Sequence, residues 1–443
     1  MLTIIPFYAN KFKTILRDNL LKKIIKNSGI ILSGNATASA LNLISFTIMA
    51  KQLGPESLAI LVLAQTYTLI FNDLFNIQTW ESMIKFGSAQ LKNDSILSVI
   101  KTNFLLDFIS AIVAFALALL LLQPAIYLLS WDVSYLNIFA LYSFSILFNI
   151  TTFTIGIPRL FDRFLAVAKV YVVMAALRLA SVLCAMFFAN SLIVYIYIYL
   201  GIDVLTSLSL IIYSMGLLRS NYGRHWWKKP FEIDKDQIRF IWWTNLRTIV
   251  RIPVRHFDMV VISSVISIPM VGVYKVYKEI AGLIHRVGDP VNQSIFPEFT
   301  KLLGRNEINK TISVTKKTML LLSGVGVLFS VTLIVISNSL VGTFFGKEYL
   351  PDINALYLMT ILFGISFITV PINSLFIAAG FVKYSFMIIL FANIIYLITA
   401  FGAGNLAGIY GVILAFSFQL FLNKGLKLFI LKKYSSDWGM VIR

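Results

Sequence analysis

Cysteine and histidine are nearly absent from this chain. One cysteine, Cys184, and three histidines, His225, His256 and His285, stand among 443 residues. A single thiol forms no intrachain disulfide, so no redox compartment follows from it. The histidines are scattered without ligand spacing, which argues against a zinc site. Acidic residues are scarce too, at 20 Asp and Glu against 38 Lys and Arg, and charged residues make up only 13% of the chain. A soluble protein carries about 25%. No short apolar core followed by a small-residue cleavage site opens the sequence, so no cleavable signal peptide is expected.

Apolar residues fill the gap. They make up 58% of the chain, and mean hydropathy is +0.83. A membrane-spanning helix needs about 20 predominantly apolar residues. The apolar runs predict twelve spans, at 27–50, 57–78, 102–122, 137–157, 166–188, 191–216, 241–265, 270–294, 318–338, 353–373, 383–402 and 407–430. Ahead of them, residues 1–26 form a basic segment. Its stretch "KFKTILRDNLLKKIIKN" places Phe12, Ile15, Leu16, Leu20 and Ile24 near one helical face, as in a helix lying on the inner membrane surface.

The net charge of +18 is tested against topology before any nucleic-acid partner is invoked. With the N-terminus inside, 29 of the 38 cations fall on the inner side, two (Lys51 and Lys347) lie in outer loops, and seven lie within spans. That asymmetry obeys the positive-inside rule and favours an even number of spans with both termini cytoplasmic. The charge is therefore mostly topological, and no nucleic-acid partner is expected.

The longest inner loop, 218–240, is basic and aromatic and divides a lobe at 27–217 from a lobe at 241–431, leaving a cytoplasmic tail at 432–443. Trp226, Trp227, Trp242 and Trp243 suit an interfacial belt. The motif "ALY" recurs at 140–142 and 355–357, and Leu160-Phe161 matches Leu375-Phe376 at the same spacing. Turn signals follow the first span of each half, "LGPES" and "SIPMVG". The fold expected is an all-α polytopic membrane protein of two six-helix bundles, related by a pseudo-two-fold axis along the membrane normal.

Seven cations remain that topology does not explain: Arg178, Arg247, Arg251, Arg255, Lys275, Lys278 and Arg286. Each would cost about 2.5–3.5 kcal/mol facing lipid at mid-membrane. In "NLRTIVRIPVRHFD" three arginines recur every fourth residue. On a continuous helix they drift about 40° per step and form a stripe about 12 Å long. Pro253 removes a helical hydrogen bond, freeing the carbonyl of Ile249, and predicts a kink. A rival assignment starts span seven near Phe257, leaves the arginines in the cytoplasm, and puts Pro269 and Gly272 mid-helix.

The next span carries Lys275, Lys278, Glu279, His285, Arg286 and Asp289 on one face. The acids in the spans are read as Asp73, Asp203, Asp258, Glu279 and Asp289, fewer than the cations. Arg255 with Asp258, Lys275 with Glu279, and His285 or Arg286 with Asp289 are open alternatives as simple helix-surface pairs. Otherwise the cations line an anion-binding lumen, and arginine's fork suits phosphate oxygens. Spans one and two add amides: Asn35 and Asn42, then Gln65, Asn72 and Asn76. These side chains suit either sugar hydroxyls or helix–helix contacts.

The stretches "FNDLFNIQTWESMIKFG", "GIPRLFDRF" and "VGVYKVYKEIAGLIHRVGDPVNQSIFPEFTKL", with "LGPESLA" after the first span, resemble the O-antigen and lipid-linked oligosaccharide flippases of the MOP exporter superfamily. The resemblance implies a twelve-helix, two-lobed exporter in the bacterial inner membrane and no enzymatic activity. Its cargo would be a polyprenyl-diphosphate-linked oligosaccharide, moved between leaflets by alternating access. Polysaccharide polymerase and chain-length machinery would be its partners. The matching positions for a cationic cavity are Arg251, Arg255, Lys275, Lys278 and Arg286, with Arg247 on the same stripe. No cofactor is expected. Na⁺ or H⁺ coupling through Asp73, Asp258 or Glu279 is an open alternative to the membrane potential as driving force. A multidrug antiporter of the same superfamily would want acidic residues for its cationic drugs. A membrane-embedded polymerase or ligase would want a substantial outer loop, and the outer loops here are short.

Overall fold

The computed structural model describes residues 19–77, 79–88, 95–188, 191–228 and 234–433, with side chains left out at 19–35, 88, 247, 286–294, 297 and 301. The basic N-terminal segment and the C-terminal tail fall mostly outside these residues. The described chain is helical. Its α-helices in order are α1 (Asn19–Phe75), α2 (Trp80–Ser88), α3 (Ile96–Leu120), α4 (Leu122–Leu128), α5 (Leu136–Ser143), α6 (Ile157–Leu160), α7 (Phe164–Phe188), α8 (Leu192–Tyr222), α9 (Lys235–Ile249), α10 (Ile252–Val265), α11 (Ile268–Ala281), α12 (Leu283–Gly304), α13 (Ile308–Leu340), α14 (Ile353–Ile368), α15 (Val370–Ala378) and α16 (Val382–Lys433).

Seven helical segments among the described residues are long and apolar enough to cross a membrane, or eight if the bent pair 133–148 and 152–160 counts as one span. Two of them are not single rods. Helix α1 has 57 residues and would run about 86 Å if straight, against an apolar membrane thickness of about 30 Å. It turns at Gly54, whose φ of +68° lies in the left-handed region, with Pro55 next. This is the "LGPES" turn: glycine adopts the positive φ at no steric cost and proline starts the following leg. Helix α16 breaks likewise at Ala407 and Gly408, where Gly408 has φ +57°.

The chain folds as two compact units. Unit 1 comprises residues 1–49, 75–114 and 144–244, and unit 2 comprises 50–74, 115–143 and 245–443. Unit 1 has an apolar core of Met83, Ile96, Leu97, Ile100, Phe153, Ile157 and Leu218 with Trp226. Beside it lies Asp107, a sixth span acid that the inventory above leaves out. It is fully buried. Its carboxylate accepts from Thr152 N at 2.6 Å and from Thr79 N at 3.3 Å, and from the Thr151 hydroxyl at 3.3 Å. These backbone donors begin the helical segments 152–160 and α2. The carboxylate therefore satisfies orphan N–H groups that lipid would leave unbonded.

Unit 2 has a core of Ile295, Phe299, Leu303, Ile372, Phe376, Ala379, Ile388 and Leu431. It also joins turns from both halves of the sequence. The Tyr349 hydroxyl donates to Ala50 O at 2.8 Å, Lys51 Nζ donates to Thr343 O at 2.9 Å, and Trp131 Nε1 donates to the Ser263 hydroxyl at 3.0 Å. Gly272, in the second turn of α11, packs so closely on the Gly54–Pro55 turn that an added Cβ would lie 2.1 Å from Pro55 O. Pro269 stands at the start of α11, where it costs no helical hydrogen bond. The mid-helix Pro269 that the rival span assignment required is not seen.

Candidate functional site: two polar cavities

The arginine segment is not one helix. Between α9 and α10 the helix breaks at Val250–Arg251, just before Pro253. The kink lies where proline predicts it, but the break separates Arg247 from Arg255 instead of leaving one continuous stripe. The Arg247 side chain lies outside the described residues. The break releases the Val250 carbonyl, which accepts from Asn393 Nδ2 at 2.6 Å, and Asn393 Oδ1 in turn accepts from Gln419 Nε2 at 2.9 Å. Both legs of α16 thus brace the broken helix.

Arg251 and Arg255 project from the break into a cavity of about 400 Å³ in unit 2. Its wall also carries His285, Asn373, Asn423, Lys424 and Lys427. Lys427 Nζ donates to Asn373 Oδ1 at 2.6 Å and Lys424 Nζ to Thr369 O at 3.4 Å. Four cations therefore share one cavity, and no acid is among the described residues lining it. Lys424 and Lys427 are counted with the inner-surface charges in the sequence. Hydropathy cannot distinguish a lysine that snorkels outward near a helix end from one that turns into the bundle.

Several described cations in this region, Arg255 among them, have acidic partners. Asp73 accepts from Arg255 Nη1 at 3.5 Å and lies 3.3 Å from His256 Nε2. Arg255 stays half-exposed all the same. Its acidic partner is thus Asp73 on α1 rather than Asp258 on its own helix. Asp258 is fully buried and bonds Lys278 of α11, the Tyr274 hydroxyl at 3.1 Å and the backbone N–H of Met259 at 2.9 Å. Lys275 pairs with Glu279 at 2.8 Å, the expected i, i+4 contact on one helix. Lys275 and Lys278 are therefore not among the residues lining the cationic cavity. Arg286 and Asp289 lie outside the described side chains.

The amides divide by role. Gln65 Nε2 donates to the Tyr142 hydroxyl at 3.0 Å. Asn76 Nδ2 donates to Asn149 O at 3.0 Å, and its Oδ1 accepts from the Ser110 hydroxyl at 3.1 Å. Asn72 is buried beside Asp73, with its Nδ2 3.4 Å from Asp73 Oδ1. All three serve contacts between or along helices. Asn35 lies outside the described side chains. Asn42 is different: its Oδ1 accepts from Arg178 Nη1 at 3.0 Å, while Arg178 Nη2 bonds Asp203 Oδ1 at 2.5 Å. These three line a second cavity, of about 570 Å³, lying wholly within unit 1. Arg178 and Asp203 each stand alone in their spans, so only the tertiary structure pairs them. Among the described residues no cluster of His, Cys, Asp and Glu suits a metal ion.

The family model described as "Polysaccharide biosynthesis protein" matches residues 24–303. The chain belongs to that family. Over 340 residues it is 24% identical to the inner membrane protein YghQ of Escherichia coli (strain K12), covering 75% of this chain and 95% of that protein. Among solved structures it is similar to an inward-facing multidrug resistance MATE family transporter of the MOP superfamily. There the TM-score is 0.72 at 15% identity, over 90% of this chain and 94% of the other. The Vibrio cholerae MATE transporter VcmN in its bent form aligns with a TM-score of 0.56 at 14% identity, over 95% of this chain and 98% of the other. The family match agrees with the polysaccharide side of the expected resemblance, and the structural likeness shows the fold of the MOP-superfamily transporters. The chain is a multi-pass membrane protein with the fold of these transporters.

Proposed function

We propose that this protein exports a polyprenyl-diphosphate-linked oligosaccharide from the inner to the outer leaflet, with the diphosphate held by Arg251, Arg255, Lys424 and Lys427. The observation that carries this reading is the cationic cavity of unit 2, whose described lining includes no acid. Like charges around one cavity repel one another, Arg255 having an acidic partner in Asp73, and a bound polyanion relieves that repulsion. Forked arginines add bidentate geometry for phosphate oxygens. Organic cations, the cargo of multidrug transporters such as the structural neighbour, would meet repulsion there. At 15% identity that neighbour speaks for the fold alone.

The proposed topology has twelve spans. The two bent helices each supply two, the broken pairs α9–α10 and α11–α12 supply one each, and the bent pair at 133–160 supplies one. Alternating access would work by opening the joint between the Gly54–Pro55 turn and α11 in one state and closing it in the other. An anion moved outward gains about 2.3 kcal/mol per charge per 100 mV of inside-negative potential. Asp73, bonded to His256 and Arg255, and Asp258, bonded to Lys278, are the acids best placed for Na⁺ or H⁺ coupling; Glu279 is engaged with Lys275 on its own helix.

Purified protein in liposomes tests the proposal, with flipping of a fluorescent diphosphate-linked oligosaccharide as the readout. Arg251→Ala and Arg255→Ala should abolish flipping while the protein still inserts. Lys at either position should restore part of it, because charge returns without the fork. Export of organic cations with no flipping of any diphosphate-linked glycan would sink the reading.

A further inference from the structure

We propose that the unit 1 cavity is a separate binding site for a neutral, hydroxyl-rich saccharide. This rests on the reading of the chain as an exporter of a sugar-bearing lipid and assigns the sugar a site that the cationic cavity does not supply.

Among the described residues lining the unit 1 cavity, one is a cation and one an anion, Arg178 and Asp203, bonded at 2.5 Å. This described lining is electrically balanced, where the described lining of the unit 2 cavity is positive. A phosphate would meet the Asp203 carboxylate and an organic cation would meet the Arg178 guanidinium. Neither ion gains what a neutral ligand gains.

A sugar hydroxyl both donates and accepts, so it is best bound by adjacent fixed donors and acceptors. Asp203 supplies a carboxylate that only accepts, and Arg178 supplies a guanidinium that only donates. Asn42, Ser39, Thr206 and Ser207 line the same cavity with groups that do both. Hydrogen bonds to charged groups are roughly twice as strong as neutral ones, which suits an uncharged ligand competing with water. Tyr171 and Met174 add apolar wall for the C–H faces of a sugar ring. The volume of about 570 Å³ falls within the range of about 300–1,000 Å³ usual for small-molecule sites.

The Arg178–Asp203 pair differs from a structural one. Unit 1 contains a structural carboxylate for comparison. Asp107 is fully buried, with both oxygens taken by backbone and threonine donors. Asp203 instead keeps 40% of its side chain exposed, while Arg178, at 15%, is braced by Asn42 and by the Tyr199 ring 4.9 Å away. The cation is held still, and the carboxylate is the more accessible of the two. An ion pair inside an apolar bundle adds little stability over apolar packing, and intramembrane ionisable groups mark ligand pathways.

The test uses the full chain with its native thiol removed (Cys184→Ala) and a reporter thiol in the cavity (Ser207→Cys). A polar maleimide is applied alone or with millimolar lactose, maltose or N,N′-diacetylchitobiose, with inorganic pyrophosphate, or with tetraethylammonium. At least one disaccharide should slow alkylation severalfold, with pyrophosphate and tetraethylammonium without effect. Adding Asp203→Asn should remove that protection. Ser39→Cys, on α1 in the same cavity lining, repeats the measurement if Ser207→Cys fails to fold. Protection by none of the disaccharides, or by pyrophosphate or tetraethylammonium in their place, overturns the proposal. No diphosphate lipid enters this experiment, so its failure leaves the flipping result standing, and failure of flipping leaves sugar protection measurable.

Discussion

Gly272→Ala tests the joint between the first-span turn and α11. The Cβ of alanine would lie 2.1 Å from Pro55 O and 2.9 Å from Pro55 C, where ordinary contact begins at 3.4 Å, an overlap of at least 1.3 Å. The obstacle is backbone on both sides, so no side-chain rotation relieves it. Overpacking of this kind costs about 1–3 kcal/mol. If the joint is closed in only one state of the transport cycle, the cost falls on that state alone. At about 1.4 kcal/mol per decade, a cost of about 2 kcal/mol shifts the equilibrium roughly 30-fold towards the open joint. Ser263 reports the shift, because it is buried beneath Trp131. With Cys184→Ala and Ser263→Cys, alkylation by a polar maleimide should accelerate by about that factor when Gly272→Ala is added, since the rate follows the rare open population. Gly402→Ala is the control, because a Cβ there meets nothing within 4 Å. A folded Gly272→Ala protein with an unchanged alkylation rate would refute the reasoning.

Removing the Asp258 carboxylate (Asp258→Ala) strands Lys278 and the Tyr274 hydroxyl in unit 2. Loss of one partner of a buried pair costs about 3–5 kcal/mol. Thermal unfolding in detergent should show a clear drop, and the double change Asp258→Leu with Lys278→Met should recover part of it. Asn393→Leu leaves the Val250 carbonyl without its amide donor, at a cost of about 1–3 kcal/mol; the same melting assay reads it, and an unchanged Tm would mean the break is held by other contacts. Lys424→Gln and Lys427→Gln should each weaken pyrophosphate binding by calorimetry and flatten its dependence on salt, because each removes one cavity charge. Unchanged affinity and salt slope would place both lysines outside the anion site.

Much of the architecture is legible in the sequence, and for identifiable reasons. Lipid demands long apolar helices, so composition alone announces the class. The Gly54–Pro55 turn is readable because few other residue pairs combine a left-handed φ with a helix start. The kink before Pro253 follows from a missing N–H. The pairing of charges is not legible. Arg255 faces the span-one/two hairpin at Asp73, Asp258 faces Lys278 and Arg178 faces Asp203, and in each case the partner lies on another helix. Lys275 with Glu279, a local i, i+4 contact, is readable as a pair because both ends lie on one helix.

The sequence by itself determined that this is a multi-pass helical membrane protein with more cations in its spans than topology requires, because hydropathy and charge asymmetry are local properties summed along the chain. Only the tertiary structure decided which of those cations share a cavity. It kept Arg251 and Arg255 on one wall, brought Lys424 and Lys427 to join them, and withdrew Lys275 and Lys278 into ion pairs. The physical reason is that a side chain's electrostatic role depends on what lies within a few ångströms of it, and in a helical bundle those neighbours come from distant parts of the chain.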